Sequence, residues 1–220
     1  MAINRRLMLE MRHDEFLDES GPQDRRKESR TAAVYRSVLI ETEDFTGFCL
    51  LRNLSCSGMM GAAYTQFAEG EAVNVQFIPG HVVSGRIIWS RGGRIGVEFD
   101  QEIDLVASLS NMGSQYIDTR VNRAPRLPIR CEGHAQINGH VIDIQVQDIS
   151  QRGIKAIIPS IAPGEEVTLH LPGMEARKAV VRWSQADLAG LNFVRPIAFE
   201  ALARWAIERQ TEAELERAYA

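Results

Sequence analysis

The 220-residue chain is poor in cysteine, in long apolar runs and in net charge, and each shortage removes a class of function. Cys49, Cys56 and Cys131 are the only three cysteines, with no CxxC spacing and one left over under any pairing. That excludes a disulfide framework and points to a reducing, cytoplasmic setting. No stretch approaches the roughly 18 apolar residues that a membrane span needs, so no membrane insertion is expected. The opening MAINRRLMLEMRHDE carries charges inside what would be the apolar core of a signal peptide, so it is not read as one. A net charge of −4 gives the chain as a whole no reason to seek nucleic acid or an anionic surface. An RNA-binding barrel would need exposed aromatics among its basic residues, and only Tyr35 lies near a basic cluster. Catalytic sets are missing too. No Ser/His/Asp or Cys/His group has a working spacing, and acids such as Glu98 and Asp148 have no evident partner. His134 and His140 flank one turn without a third ligand, so neither an enzyme nor a metal site is expected.

What is present is ordinary in amount and unusual in arrangement. The apolar fraction is 45% and the charged fraction 25%, normal for a globular protein. Residues 25–36 carry Arg25, Arg26, Lys27, Arg30 and Arg36 against Glu28 alone, a local +4. Residues 120–130 hold Arg120, Arg123, Arg126 and Arg130 with no acid, another +4, so the remainder of the chain holds −12.

A repeat sets the organisation. Asn53 matches Asp148 at an offset of 95, Gly70-Glu71 matches Gly164-Glu165 at 94, and Pro79-Gly80 matches Pro172-Gly173 at 93. Trp89-Ser90 matches Trp183-Ser184, and GVEF (96–99) matches GLNF (190–193), both at 94. A near-constant offset means two tandem copies of one unit. Each copy reads as short β-rich runs at 34–40, 45–51, 58–63, 72–78, 82–89 and 96–99 and their counterparts. Turn signals separate them, including Gly92-Gly93 and Asn138-Gly139, the latter of type I′. Six short strands in a unit this small predict a closed antiparallel barrel, which leaves no exposed edge. A helical period follows each barrel, through Ile103, Val106 and Leu109 in the first copy and Ile197, Ala201, Leu202 and Trp205 in the second. Trp89 and Trp183 read as core aromatics. The expected domains are 25–119 and 120–220, preceded by a flexible tail over 1–24.

Both basic clusters precede a polar turn. RKESR (26–30) precedes NLSCSG (53–58), and RLPIR (126–130) precedes DISQRG (148–153). Guanidinium is permanently charged and planar, suited to phosphate or to the O6/N7 edge of guanine. Asn53 brings an amide that both donates and accepts, and Ser55 a rotatable hydroxyl. Gly58 permits a positive φ or close approach to a ligand. Such turns also serve simply to join strands, and arginine runs to solvate a surface. Their joint recurrence favours a site for a phosphate-bearing small ligand.

In these residues the chain resembles the PilZ family of cyclic di-GMP receptors, as two copies covering nearly its whole length. The family pattern, RxxxR followed by [D/N]xSxxG, is matched by Arg26, Arg30, Asn53, Ser55 and Gly58, with 23 residues from Arg30 to Asn53. The resemblance implies a six-stranded barrel with a C-terminal helix, and a mobile RxxxR arm that closes over ligand phosphates and guanine. Arg25, just before the motif, goes in that family with two intercalated ligand molecules. It also implies a receptor that passes a conformational change to a protein partner in motility or exopolysaccharide control. A ligand-independent adaptor module in a motility or envelope complex is the alternative. The second copy departs from the pattern. Arg130 lies only 18 residues before Asp148, so spacing makes Arg126 the counterpart of Arg30 and puts Asn122 where Arg26 would stand. Pro125 and Pro128 stiffen that arm. A second site would use Arg123, Arg126, Arg130, Asp148, Ser150 and Gly153, with a structural or partner-docking role as its competitor.

Overall fold

A computed structural model describes residues 34–104, 108 and 124–219. The tail over 1–24, the arm arginines Arg25, Arg26 and Arg30, Arg123, and the expected helical residues Val106 and Leu109 lie outside the described residues. The first unit holds β1 (Arg36–Glu41), β2 (Thr46–Leu54), β3 (Gly58–Ala62), β4 (Ala72–Ile78), β5 (His81–Arg91) and β6 (Arg94–Phe99). They close antiparallel in the order β1-β2-β3-β6-β5-β4. The second holds β7 (Leu127–Ile137), β8 (His140–Ser150), β9 (Gly153–Ile157), β10 (Glu166–His170), β11 (Arg177–Gln185) and β12 (Leu188–Phe193). Its order, β7-β8-β9-β12-β11-β10, is the same ring one copy later. Two closed six-stranded barrels are therefore what the repeat encodes. One helix is found among the described residues, α1 (Phe199–Tyr219), after the second barrel.

Alternation makes the strands. Along β7, Leu127, Ile129, Cys131, Ala135 and Ile137 point inward while Pro128, Arg130, Glu132, His134 and Gln136 are exposed. Strand β4 buries Val73, Val75 and Phe77 in the same way, each worth roughly 1.5–3 kcal/mol when fully removed from water. Asn138 (φ 49°) and Gly139 (φ 85°) join β7 to β8, with Ile137 paired to His140. Both central residues at positive φ make this the expected type I′ turn, whose twist matches the strands. Burial pushes the Cys49 thiol up to about 12 and raises Cys131 as well, so both stay protonated at neutral pH.

Helix α1 ties the barrels together. Leu202, Ala203, Trp205 and Ala206 are buried, and Trp205 Nε1 donates to the Pro172 carbonyl at 2.8 Å. Ala201 faces solvent, contrary to the helical face expected for it, because the buried stripe is formed by Leu202, Ala203, Trp205 and Ala206, and at about 3.6 residues per turn Ala201 falls outside it. Phe199 reaches the first barrel, edge-on to Phe48 with ring centroids 6.2 Å apart and 6.1 Å from Tyr64. The Arg204 guanidinium lies over the Tyr64 ring at 5.3 Å. Leu39 and Phe48 thus belong to the same buried cluster as the second barrel's core. No helix among the described residues is long and apolar enough to cross a membrane.

Candidate functional site

The two polar turns are built alike. In β2 the register against β3 slips between Leu51 and Asn53, and in β8 it slips against β9 between Val146 and Asp148. Each bulge immediately precedes the turn's Asn or Asp, and bulges re-aim the side chains that follow. The Ser55 hydroxyl donates to the Gly58 carbonyl at 3.1 Å, and the Ser150 hydroxyl to the Gly153 carbonyl at 3.1 Å. Each serine thereby closes its own turn; the Ser150 oxygen also accepts the Arg152 N–H at 3.4 Å, and the Ser55 oxygen lies 3.5 Å from that of Ser57.

The glycines have a different reason from the one expected. Neither Gly58 nor Gly153 has a positive φ. A Cβ on Gly58 would sit 2.4 Å from the Val97 carbonyl oxygen, and one on Gly153 would sit 2.0 Å from that of Leu191. The missing side chain is what lets β3 approach β6, and β9 approach β12.

Beyond this frame the copies differ. Asn53 is half-buried, and among the described residues its amide makes no hydrogen bond, so it presents donors and an acceptor outward. Asp148 has the partners that the sequence did not reveal. It pairs with Arg126 on one oxygen and with Lys155 Nζ at 3.0 Å on the other. The 22-residue spacing had marked Arg126 as the arginine facing the turn, and that is the one that meets Asp148. Arg130 stands on the exposed face of β7, past a register slip between Pro128 and Cys131.

Trp183 is not a core residue: it is 41% exposed, and Trp89 is half-buried. Bulges explain both. The β11 register slips between Val181 and Trp183, and the β5 register between Ile87 and Trp89, so alternation breaks just before each ring. Arg182 and Trp183 consequently both face outward. Each tryptophan lies on a glycine, Trp89 on Gly96 and Trp183 on Gly190, where a Cβ would meet the indole Nε1 at 2.1 Å.

A cleft of about 700 Å³ opens between the barrels. From the second barrel it is lined by Arg126, Ser150, Arg152, Arg182, Trp183 and Asn192, and from the first by Tyr35, Arg36 and Phe77. Arg152, Arg182 and Trp183 were not singled out as site residues from the sequence; comparing the copies position by position would have found them. Among the described residues no group of histidine, cysteine and carboxylate side chains could hold a metal ion.

A family model described as the PilZ domain matches residues 24–111 and again residues 120–208. Among solved structures, the chain is similar to the Borreliella burgdorferi PlzA protein in complex with c-di-GMP, at 11% identity and a TM-score of 0.33, covering 82% of this chain and 93% of that one. It is similar to the Bacillus subtilis inhibitor of motility MotI/DgrA, at 17% and 0.34, covering 81% and 98%. It is also similar to Escherichia coli YcgR in complex with c-di-GMP, at 10% and 0.30, covering 84% and 88%. No curated protein matches the chain.

Proposed function

Because the chain belongs to the PilZ domain family, we propose that it is a cytoplasmic cyclic di-GMP receptor whose principal site lies in the first domain, residues 25–119. The observation that carries this reading is the complete motif within that copy: Arg26 and Arg30 on the arm, then Asn53, Ser55 and Gly58 at the β2–β3 turn. Arg26 and Arg30, with Arg25 beside them, supply the forked cations for phosphate oxygens and for the guanine O6/N7 edge. Asn53 reads the opposite base edge with an amide that nothing described occupies. Ser55 accepts with the lone pairs left over from its bond to Gly58. Gly58 holds the turn in place by letting β3 lie against β6.

The state of the second turn supports the same assignment. Asp148 is engaged by two cations and Ser150 is buried, whereas Asn53 and Ser55 are only half-buried and the Asn53 amide has no hydrogen-bond partner among the described residues. A receptor of this kind does no chemistry on its ligand. The arginines of residues 25–30 engage the ligand on binding, and the resulting conformational change passes to a protein partner governing motility or exopolysaccharide.

Thermal unfolding with added cyclic di-GMP tests the reading. Ligand at a hundred times its Kd stabilises the folded state by about 2.7 kcal/mol, an expected rise of roughly 5–10 °C in Tm. Arg26→Ala with Arg30→Ala should lose most of that rise and leave the ligand-free Tm unchanged. Equal shifts in the wild type and the double variant would count against the motif as the site.

A further inference from the structure

We infer that an acid-walled cleft on the first barrel docks a basic segment of a protein partner, one that presents arginine or lysine side chains. None of its residues belongs to the dinucleotide motif, so it goes beyond the receptor reading and does not rest on it.

The cleft has a volume of about 530 Å³ and lies where β1 turns into β2. Glu41 ends β1, Thr42 and Glu43 follow in the turn, and Asn74 of β4, Arg86 of β5 and Asp100 after β6 complete the wall. The Asn53–Gly58 turn stands at the other end of β2. Glu41, Glu43 and Asp100 are exposed, and none makes an ion pair among the described residues. Arg86 is the cation of the lining, and its Nη1 donates to the Gly70 carbonyl at 3.2 Å. Three carboxylates against one guanidinium leave the cleft at −2.

The fold does not require that charge, because the second barrel builds the same ring without it. Strand pairing aligns Glu41, Asn74 and Ser84 with Gln136, Thr168 and Lys178. The Asp100 amide donates to the Ser84 carbonyl at 3.0 Å, as the Val194 amide does to the Lys178 carbonyl at 2.9 Å, so Val194 stands for Asp100. Asn138 stands for Glu43 and Val180 for Arg86. Glu166, in the place of Ala72, offsets Lys178, and the second copy's lining is neutral.

Thr42 adds an unpaired group to the charge. It is 9% exposed, and its amide donates to the Phe45 carbonyl at 2.7 Å. Its hydroxyl oxygen is buried and has no hydrogen-bond partner among the described residues. A buried polar group without a partner costs stability. The second copy places Ile137 there, 7% exposed, and avoids the cost. The first barrel thus keeps an unpaired hydroxyl on the wall of its acidic cleft, where its sibling shows that an apolar residue suffices.

Guanidinium and ammonium groups carry several N–H donors and no acceptor, so one such group satisfies the Thr42 oxygen and the carboxylates together. The Ser84 hydroxyl holds Asn74 Oδ1 at 2.8 Å, which leaves the Asn74 amide hydrogens for a backbone carbonyl of the docked segment. The carboxylates are not gathered into a group that could hold a metal ion, so the cation that fits is a side chain. Complementary charge of this kind selects the partner and speeds its encounter.

Fluorescence anisotropy tests this on the full chain at low salt, without cyclic di-GMP. The probe is a short fluorescein-labelled peptide alternating glycine and arginine. The wild type should bind it, and E41Q/E43N/D100N should bind about tenfold or more weakly. All three positions are exposed, and two receive the second copy's residue, so the fold is kept. E132Q/E175Q/D187N removes as many charges from exposed positions of the second barrel and should bind as the wild type does. Thr42→Val should weaken the peptide by about three- to tenfold and raise the peptide-free Tm by about 2 °C or more. If both charge variants lose binding alike, the peptide follows net charge and the docking cleft falls. It falls too if spermidine displaces the peptide at equal concentration, the mark of a bare cation site. A lower Tm in Thr42→Val would assign the hydroxyl to the fold and overturn the cleft, as would a wild type that does not bind. Arg30→Ala should bind the peptide unchanged, so failure here leaves the receptor reading standing.

Discussion

Gly153→Val is expected to unfold the second barrel at a markedly lower temperature than the wild type. The reason is backbone proximity. A Cβ at position 153 would lie 2.0 Å from the Leu191 carbonyl oxygen and 3.0 Å from the Asn192 α-carbon. Neither neighbour is the end of a flexible side chain that could swing away. The substitution therefore has to separate β9 from β12, where Gly153 pairs with Asn192 and Ile154 with Leu191. Forced overpacking costs about 1–3 kcal/mol, and broken pairing places this variant at or above that range. With 2–4 °C per kcal/mol for a chain of this size, a fall in Tm of roughly 6–12 °C follows. Circular dichroism during heating reads it directly. An unchanged Tm would mean that the glycine answers to a ligand and not to strand packing.

Trp205→Ala should rival it in size. Trp205 is 4% exposed on the inner face of α1, and its Nε1 bonds the Pro172 carbonyl at 2.8 Å. Truncating a buried tryptophan costs about 3–5 kcal/mol. The Pro172 carbonyl also loses its partner. The loss does not stay in the second barrel, because the same helix carries Phe199 to Phe48 and Tyr64 of the first. Denaturant unfolding should show a lower midpoint. Ala201→Gln, on the solvent face of the same helix, should shift stability by no more than about 0.5 kcal/mol. A Trp205→Ala midpoint indistinguishable from that control would contradict the docked position of α1.

The barrels were legible because their information is periodic. The near-constant offset, the alternating inward residues of strands such as β7, and the Asn138-Gly139 turn are local patterns that the chain states outright. The Arg126–Asp148 pair was half legible, through a spacing that marked Arg126 over Arg130. What escaped depends on breaks in the pattern and on contacts between distant segments. Trp183 reads as a core residue only while β11 alternates, and the bulge at Arg182 ends that alternation. The glycines of the two turns carry the right letters for a ligand loop, yet their Cβ positions are closed off by strands some forty residues away. The cleft is set by which barrel faces meet, and that follows from how α1 docks on β2, which no single-copy motif encodes.

The central claim is that the first-domain motif binds cyclic di-GMP. A calorimetric titration of the dinucleotide into the wild-type chain and into Arg30→Ala tests it most directly. Saturable heat at micromolar ligand is expected from the wild type. Losing one forked, charge-assisted contact should weaken first-domain binding in Arg30→Ala by about 10- to 100-fold. A wild type that gives no heat at those concentrations, or an Arg30→Ala variant that binds as the wild type does, would contradict the account.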